Sequence, residues 1–227
     1  MAIVQTQCTS FKKELYQGIH DLSTDTIKMA LYTANANLGA ATTVYTPVGE
    51  VPSINTAGVS AAILDASVSQ EPGNTLFKLT TVGGRPLGDI NNSGTVTSAD
   101  SFAYNRWAAG TMTDAAQIAW VEGTLNPYMF ANPVAYAAYL VGNGYTAGGN
   151  TLTGVAISSS GYTAYANWAN TSWTAALTAR CALIYNASKA DQAIAVIDFG
   201  ADKTSTTTFL VTMPANTSTT ALIRSSN

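Results

Sequence analysis

The chain has little charge. Of 227 residues only 10% are Asp, Glu, Lys or Arg, and ten basic against thirteen acidic residues leave a net charge of −3. Roughly 25% charged is usual for a soluble globular domain. The basic residues are scattered from Lys12 to Arg224, so the clustered footprint that neutralises phosphates is missing and nucleic acid is not an expected partner. A single histidine, His20, excludes a metal site with two imidazoles and any Ser-His-Asp triad not built on it. Two cysteines, Cys8 and Cys181, exclude a disulfide framework and read as half-buried small hydrophobes. No run approaches the ~20 apolar residues of a membrane span, so no membrane is expected. The start, Met1-Ala2-Ile3-Val4-Gln5, lacks the basic and apolar regions of a secretory leader. Nucleophile-elbow, phosphate-loop and dinucleotide fingerprints are also missing, and no enzyme is expected.

What is present is apolar and small. Hydrophobic residues make up 47% of the chain, with Ala abundant among them and Thr abundant among the rest. A chain of this length buries a sizeable core in one large domain or in one domain plus a small one. A weakly charged Thr/Ser/Ala surface suits a subunit packed in a larger assembly.

Periodicity divides the chain. Phe11, Leu15, Ile19 and Leu22 recur at helical spacing, which predicts an amphipathic helix over 10–22 with Ser10 as N-cap and Lys12, Lys13 and Glu14 toward water. This stripe is expected to serve assembly, leaving residues 1–22 dispensable for folding of the core. Residues 26–33 read as a strand and 42–46 as a second extended piece. Beyond Gly142 short strand patterns follow closely, at 151–157, 161–168, 171–176, 178–186, 192–199, 206–213 and 219–224. The middle reads differently. Mixed extended material, including 75–80, precedes three helical signals: 98–109 stopped by Gly110, 114–122 with Thr113 as N-cap and Gly123 as C′, and a helix opening at Asn132-Pro133 and ending near Gly142. The fold class is therefore mainly β: a β-sandwich or barrel-like core built from both chain ends, residues 1–50 and 143–227, with an inserted mixed or helical subdomain at 51–142.

One segment carries a chemical pattern. In 89–100, oxygen donors recur at loop positions 1, 3, 5, 7, 9 and 12: Asp89, Asn91, Ser93, the Thr95 carbonyl, Thr97 and Asp100, with Gly94 at the sharp turn. Calcium takes six to eight oxygens in a compact cage, and alternate loop positions point inward to supply them. The expected cofactor is Ca2+ in a structural role, fastening the loop to the helix that follows. The loop resembles the calcium repeat of dockerin domains in its spacing, its position-12 Asp and its following helix. It departs from them at Ser93, where an acid is usual, and in lacking a second loop. Two carboxylates imply modest affinity, and cohesin binding is not implied.

Other clusters read as structural. His20 beside Asp21 reads as a solvated or interface residue rather than the base of a Cys8 nucleophile. Asp191, Asp198 and Asp202 read as turn acids flanking a strand. Tyr162, Tyr165, Trp168 and Trp173 fall within a dozen residues; they are core packing or a glycan-stacking face, which makes a host-surface glycan an alternative partner.

The flanking regions resemble small virion structural proteins of tailed bacteriophages, of the capsid decoration or cement kind. The likeness is carried by the opening Met1-Ala-Ile-Val-Gln-Thr-Gln-Cys8 through His20, by Lys28-Met-Ala-Leu-Tyr-Thr33, by Gly144-Tyr-Thr-Ala-Gly-Gly149, by Thr178-Ala-Arg-Cys-Ala-Leu-Ile-Tyr-Asn186 and by Ala195 through Thr204. It covers roughly 1–50 and 143–227, and this chain departs from the group in the long stretch between. The resemblance implies a virion location after assembly in the host cytoplasm. It also implies a homo-oligomer whose partners are other virion subunits, the major capsid protein or tail proteins. It brings no catalytic residue.

Overall fold

The computed structural model describes every residue except 1, 2, 4, 55, 69–75, 137–141 and 227, and only the backbone of 65–68 and 134. The chain divides into two compact units, one of residues Met1–Val51 and Gly144–Asn227, the other of Pro52–Asn143.

The first unit is built on an antiparallel five-stranded sheet. Its strands are β1 (Thr6–Gln7), β2 (Ile27–Tyr32), β5 (Asn150–Thr151), β9 (Leu177–Asn186) and β10 (Gln192–Ser205), in the order β1-β10-β9-β2-β5. The central pair β2 and β9 is buried at most positions, as strands covered on both faces are, and Met29 faces Ile184 while Leu31 faces Ala182. A three-stranded sheet, in the order β12-β7-β6, joins β6 (Ala156–Ser160), β7 (Thr163–Asn167) and β12 (Ile223–Ser226). A two-stranded ribbon pairs β8 (Thr171–Trp173) with β11 (Phe209–Val211). The expected mainly β character holds; among the described residues no sheet closes on itself, so the barrel form is set aside.

Close backbone approach fixes one glycine. Gly149 has φ +68, and a Cβ there would stand 1.8 Å from the Met29 carbonyl oxygen, so no larger residue fits between the turn and β2.

Helix α1 (Thr9–Tyr16) is shorter than predicted, because Gly18 at φ +67 turns the chain out of the helix. It is also no free stripe: Cys8 and Phe11 are completely buried in the main core. Residues 1–22 are thus part of the folded unit rather than dispensable. Glu14 does not face water as predicted but accepts from His20 Nε2 at 2.8 Å. The His20 side chain is fully buried, and its Nδ1 lies 3.0 Å from Asn186 Nδ2, so it is not solvated. Of the extended piece at 42–46 only a single bridge forms, Val44 to Gln192.

The second unit is mainly helical. It contains α2 (Thr56–Val68), α3 (Leu76–Leu79), a hairpin of β3 (Thr81–Val82) with β4 (Arg85–Pro86), then α4 (Ser98–Ala108), α5 (Ala115–Trp120), α6 (Asn126–Ala131) and α7 (Pro133–Tyr136). Its core gathers Val59, Ile63, Phe77, Tyr104, Met112 and Met129. Three expectations fail. Residues 56–68 and 76–79, read as extended, are helical; α2 is rich in small and apolar residues with its few polar ones spread around it, which hides its period from a search for one polar face. The helix expected to stop at Gly123 continues instead through a π-helical turn, Val121–Leu125, into α6. Asp114, not Thr113, is the N-cap of α5, accepting from the Ala116 and Gln117 amides. The far end of the helix opening at Pro133 lies outside the described residues.

Candidate cation loop and the aromatic side chains

The loop at 89–100 folds around its own oxygens. Asp89 and Asp100 are completely buried. Asp89 Oδ1 accepts from the Ser93 amide at 2.9 Å and Oδ2 from the Gly94 amide at 2.9 Å. Asn91 Oδ1 accepts from the same Ser93 amide at 3.0 Å, which brings positions 1 and 3 together. The Ser93 hydroxyl donates to the Thr95 carbonyl at 3.0 Å and lies 3.4 Å from Asp89 Oδ1, adding positions 5 and 7. Asp100 closes the loop from the far side, where Oδ1 accepts from the Asn91 amide at 3.0 Å. Gly94 makes the turn at φ +90 and Val96 packs inward at 4% exposure.

Asp100 has a second task. It is the N3 residue of α4, and its Oδ2 accepts from the Thr97 amide at 2.8 Å while the Thr97 side chain accepts from the Ala99 amide, a capping box. Thr97 Oγ1 also lies 3.1 Å from Asp100 Oδ2. Its hydroxyl therefore takes part in the same cap as the Asp100 carboxylate.

Sequence reasoning missed Arg85. Its guanidinium stacks 3.8 Å from the centre of the Trp120 ring, donates from Nε to the Asp89 carbonyl at 2.6 Å and from Nη2 to the Ile90 carbonyl at 2.7 Å. Trp120 is held in turn by its Nε1, which donates to the Leu87 carbonyl at 3.1 Å. Arg85 Nε stands 3.9 Å from Asp89 Oδ2, and burial lowers the guanidinium's proton affinity while Asp89 and Asp100 raise it. Two buried carboxylates thus face one guanidinium. Their oxygens are held by backbone amides and hydroxyls, and with Asn91, Ser93 and the Thr95 carbonyl they form the kind of hard-oxygen set that could hold a divalent cation such as calcium. The only early signal for Arg85 was its place four residues before Asp89. Among the described residues no group of three or more His, Cys, Asp or Glu side chains gathers.

The four aromatic residues do not form one surface. Trp168 and Trp173 are buried at 5% and 3% exposure, Trp173 packing against Tyr145 and Phe209, so neither offers a face to a sugar. Tyr162 alone stands free, at 88% exposure on the tip of the β6–β7 hairpin, while Tyr165 is half-buried on β7. The strand-rich sequence pattern placed all four near one another, but pleat alternation and sheet packing turn the tryptophans inward.

The remaining candidates are structural. Burial pushes the Cys8 thiol up to about 11 and the Cys181 thiol up to about 12, which keeps both protonated and unreactive. Asp198 pairs with Arg180 and accepts from the Gly200 amide. Asp191 sits in a turn at φ +57.

Sequence reasoning also missed a buried carboxylate in the first unit. Glu50 is 8% exposed and accepts from the Tyr145 hydroxyl at 2.7 Å, the Gly148 amide at 2.6 Å and the Tyr45 hydroxyl at 2.5 Å. Burial pushes its carboxyl up, against the opposing pull of these three donors and of Lys28.

The first unit also carries an open groove of about 790 Å³ between β10 and β11, with Ile197, Phe199, Phe209, Val211, Met213 and Leu222 in its lining. Comparisons with known proteins add no relative: no protein-family model, no curated protein and no solved structure matches the chain.

Proposed function

We propose that the chain is a structural component of a tailed-phage virion, a capsid decoration or cement subunit that packs as a homo-oligomer against other virion proteins. The observation that carries this reading is the amount of β-edge the first unit leaves open. Strand β1 covers β10 only at Ala195 and Val196, so among the described residues no strand pairs with the outer side of 197–205. That open length borders the apolar groove, and Leu210 beside it is 58% exposed. Strand β6 forms a second open edge. Unpaired edges next to apolar surface are templates for strand addition; Lys203 and the break in register between Asp198 and Lys203 guard the β10 edge in part, whereas β6 has no such guard. Neighbouring subunits would satisfy them here, the major capsid protein or tail proteins supplying the contacts. The weak surface charge and the likeness of both chain ends to virion proteins support the same reading.

In this reading the loop at 89–100 holds calcium through Asp89, Asn91, Ser93, the Thr95 carbonyl and Asp100, and the ion's role is to fasten the loop to α4. Quantitative mass spectrometry of purified particles tests the assignment. Hundreds of copies per particle are expected of a decoration protein. A dozen or fewer would place the chain in the tail or its fibres, and none would overturn the virion reading.

A further inference from the structure

The hairpin of β6 and β7 turns on two residues, Gly161 and Tyr162, with Ser160 paired to Thr163. Gly161 has φ +57 and Tyr162 does not share it, the pattern of a type II′ turn. A two-residue turn sets the hydrogen-bonding phase, because its flanking residues exchange both backbone bonds. Counting back by twos, Ser160, Ser158 and Ala156 bond toward β7. Ser159 and Ile157 turn their amides and carbonyls the other way. That other side is the edge of the sheet, all five β6 residues are exposed, and the register with β7 runs without a bulge. Edge strands are commonly protected by lysine, proline or a bulge. Strand β6 has none of these, and no charged residue occurs anywhere between Glu122 and Arg180.

We propose that β6 pairs antiparallel with β6 of a second copy of this chain, about a twofold axis at Ile157, so that two three-stranded sheets become one of six strands. The proposal rests on the reading of the chain as an assembly subunit and names the partner of one of its open edges. An edge that meets its own copy about a twofold axis brings the residues nearest the axis close to their own kind, which like charges disfavour and an uncharged edge allows. Phase narrows the registers further. New bonds form only where outward-turned residues oppose each other, so Ile157 must face Ile157, or Ile157 must face Ser159, or Ser159 must face Ser159. Only the first places the 57%-exposed Ile157 directly against another apolar side chain. In that register Ser158 faces Ala156, two small residues that fit a close pair.

Disulfide trapping in the full chain tests the register. Across a hydrogen-bonded antiparallel pair the Cα atoms stand about 5.5 Å apart, inside disulfide range. Ile157→Cys is therefore expected to give a disulfide-linked dimer under mild oxidation, with Cys8 and Cys181 too buried to compete. Ser159→Cys is the control: its two copies would lie about 14 Å apart, four residues along the strand, and should not link. Ile157→Asp sets like charges face to face and is expected to weaken dimerisation about tenfold or more, measured by analytical ultracentrifugation. At concentrations low enough to keep both proteins monomeric its melting temperature should match the parent's, because the side chain is exposed in the single chain. A monomer whose Ile157→Cys variant stays unlinked overturns the proposal, as does linkage through Ser159→Cys in its place. Linkage of Ile157→Cys to a different virion protein overturns it too. Copy counting separates the two readings. A monomer present in hundreds of copies overturns only the self-pairing, whereas an Ile157-linked dimer absent from particles overturns only the virion assignment.

Discussion

The hydroxyl of Tyr145 donates to Glu50 Oε1 at 2.7 Å, joining residues 95 positions apart in sequence. The two stand one residue inside the points where the chain of the first unit breaks off at Val51 and resumes at Gly144. Tyr145 Oη also accepts from the Leu31 amide at 2.9 Å, and the Val51 amide donates to the Leu31 carbonyl at 2.9 Å, so both ends are tied to β2. The first unit therefore closes its own gap. Replacing residues 52–143 with a short Gly/Ser linker is expected to leave a cooperatively melting β protein, followed by circular dichroism. Loss of the folded signal would show that the gap is not self-closing.

Glu50 also makes stability depend on pH. Its carboxyl is raised in the fold by burial, so ionisation is harder in the native chain than in the unfolded one. The stability it contributes is full below the ordinary glutamate value of about 4.3 and is lost as pH rises through the higher folded value. Glu50→Gln stays neutral throughout. Its melting temperature relative to the parent is expected to improve between pH 4 and pH 8, and a difference that shrinks over that range would contradict the assignment. Glu50→Ala leaves two tyrosine hydroxyls and an amide without their acceptor, at about 1–3 kcal/mol each.

Two glycines should respond oppositely to alanine. At Gly149 a Cβ collides with the Met29 carbonyl in a left-handed backbone, so Gly149→Ala is expected to prevent folding of the first unit. At Gly123, exposed in the π-helical turn, a Cβ meets nothing within 4 Å. Gly123→Ala is expected to stabilise the second unit by about 0.5–1 kcal/mol through reduced freedom of the unfolded chain. Chemical denaturation of both variants gives the comparison.

Calcium should stabilise the second unit. A loop with two carboxylates belongs at the weak end of such sites, and saturation to a hundred times the dissociation constant stabilises by about 2.7 kcal/mol. Ser93→Asp adds a third carboxylate at the fifth position. It is expected to bind calcium about tenfold tighter by calorimetry and to lower the melting temperature when calcium is chelated, since three acids then crowd one guanidinium. No melting shift in millimolar calcium for either protein would rule out the ion.

Much of the first unit was written locally. The apolar runs and turn residues of 178–186 and 192–199 place the two long strands, because a strand covered on both faces shows itself as an apolar run between turns, although β10 runs on to Ser205. The loop at 89–100 was legible for the same reason: its donors, its Gly94 and its cap all lie within twelve consecutive positions. Helix α2 was not legible, since its few polar residues are spread around the helix and leave no polar face to reveal a period. Only the tertiary structure decided which side chains meet across long separations. It buried Trp168 and Trp173, set Arg85 on Trp120 behind Asp89, and turned Glu50 inward onto Tyr145. Spacing along a chain reports the contacts of neighbours. The burial of a charge depends on residues that folding alone brings to it.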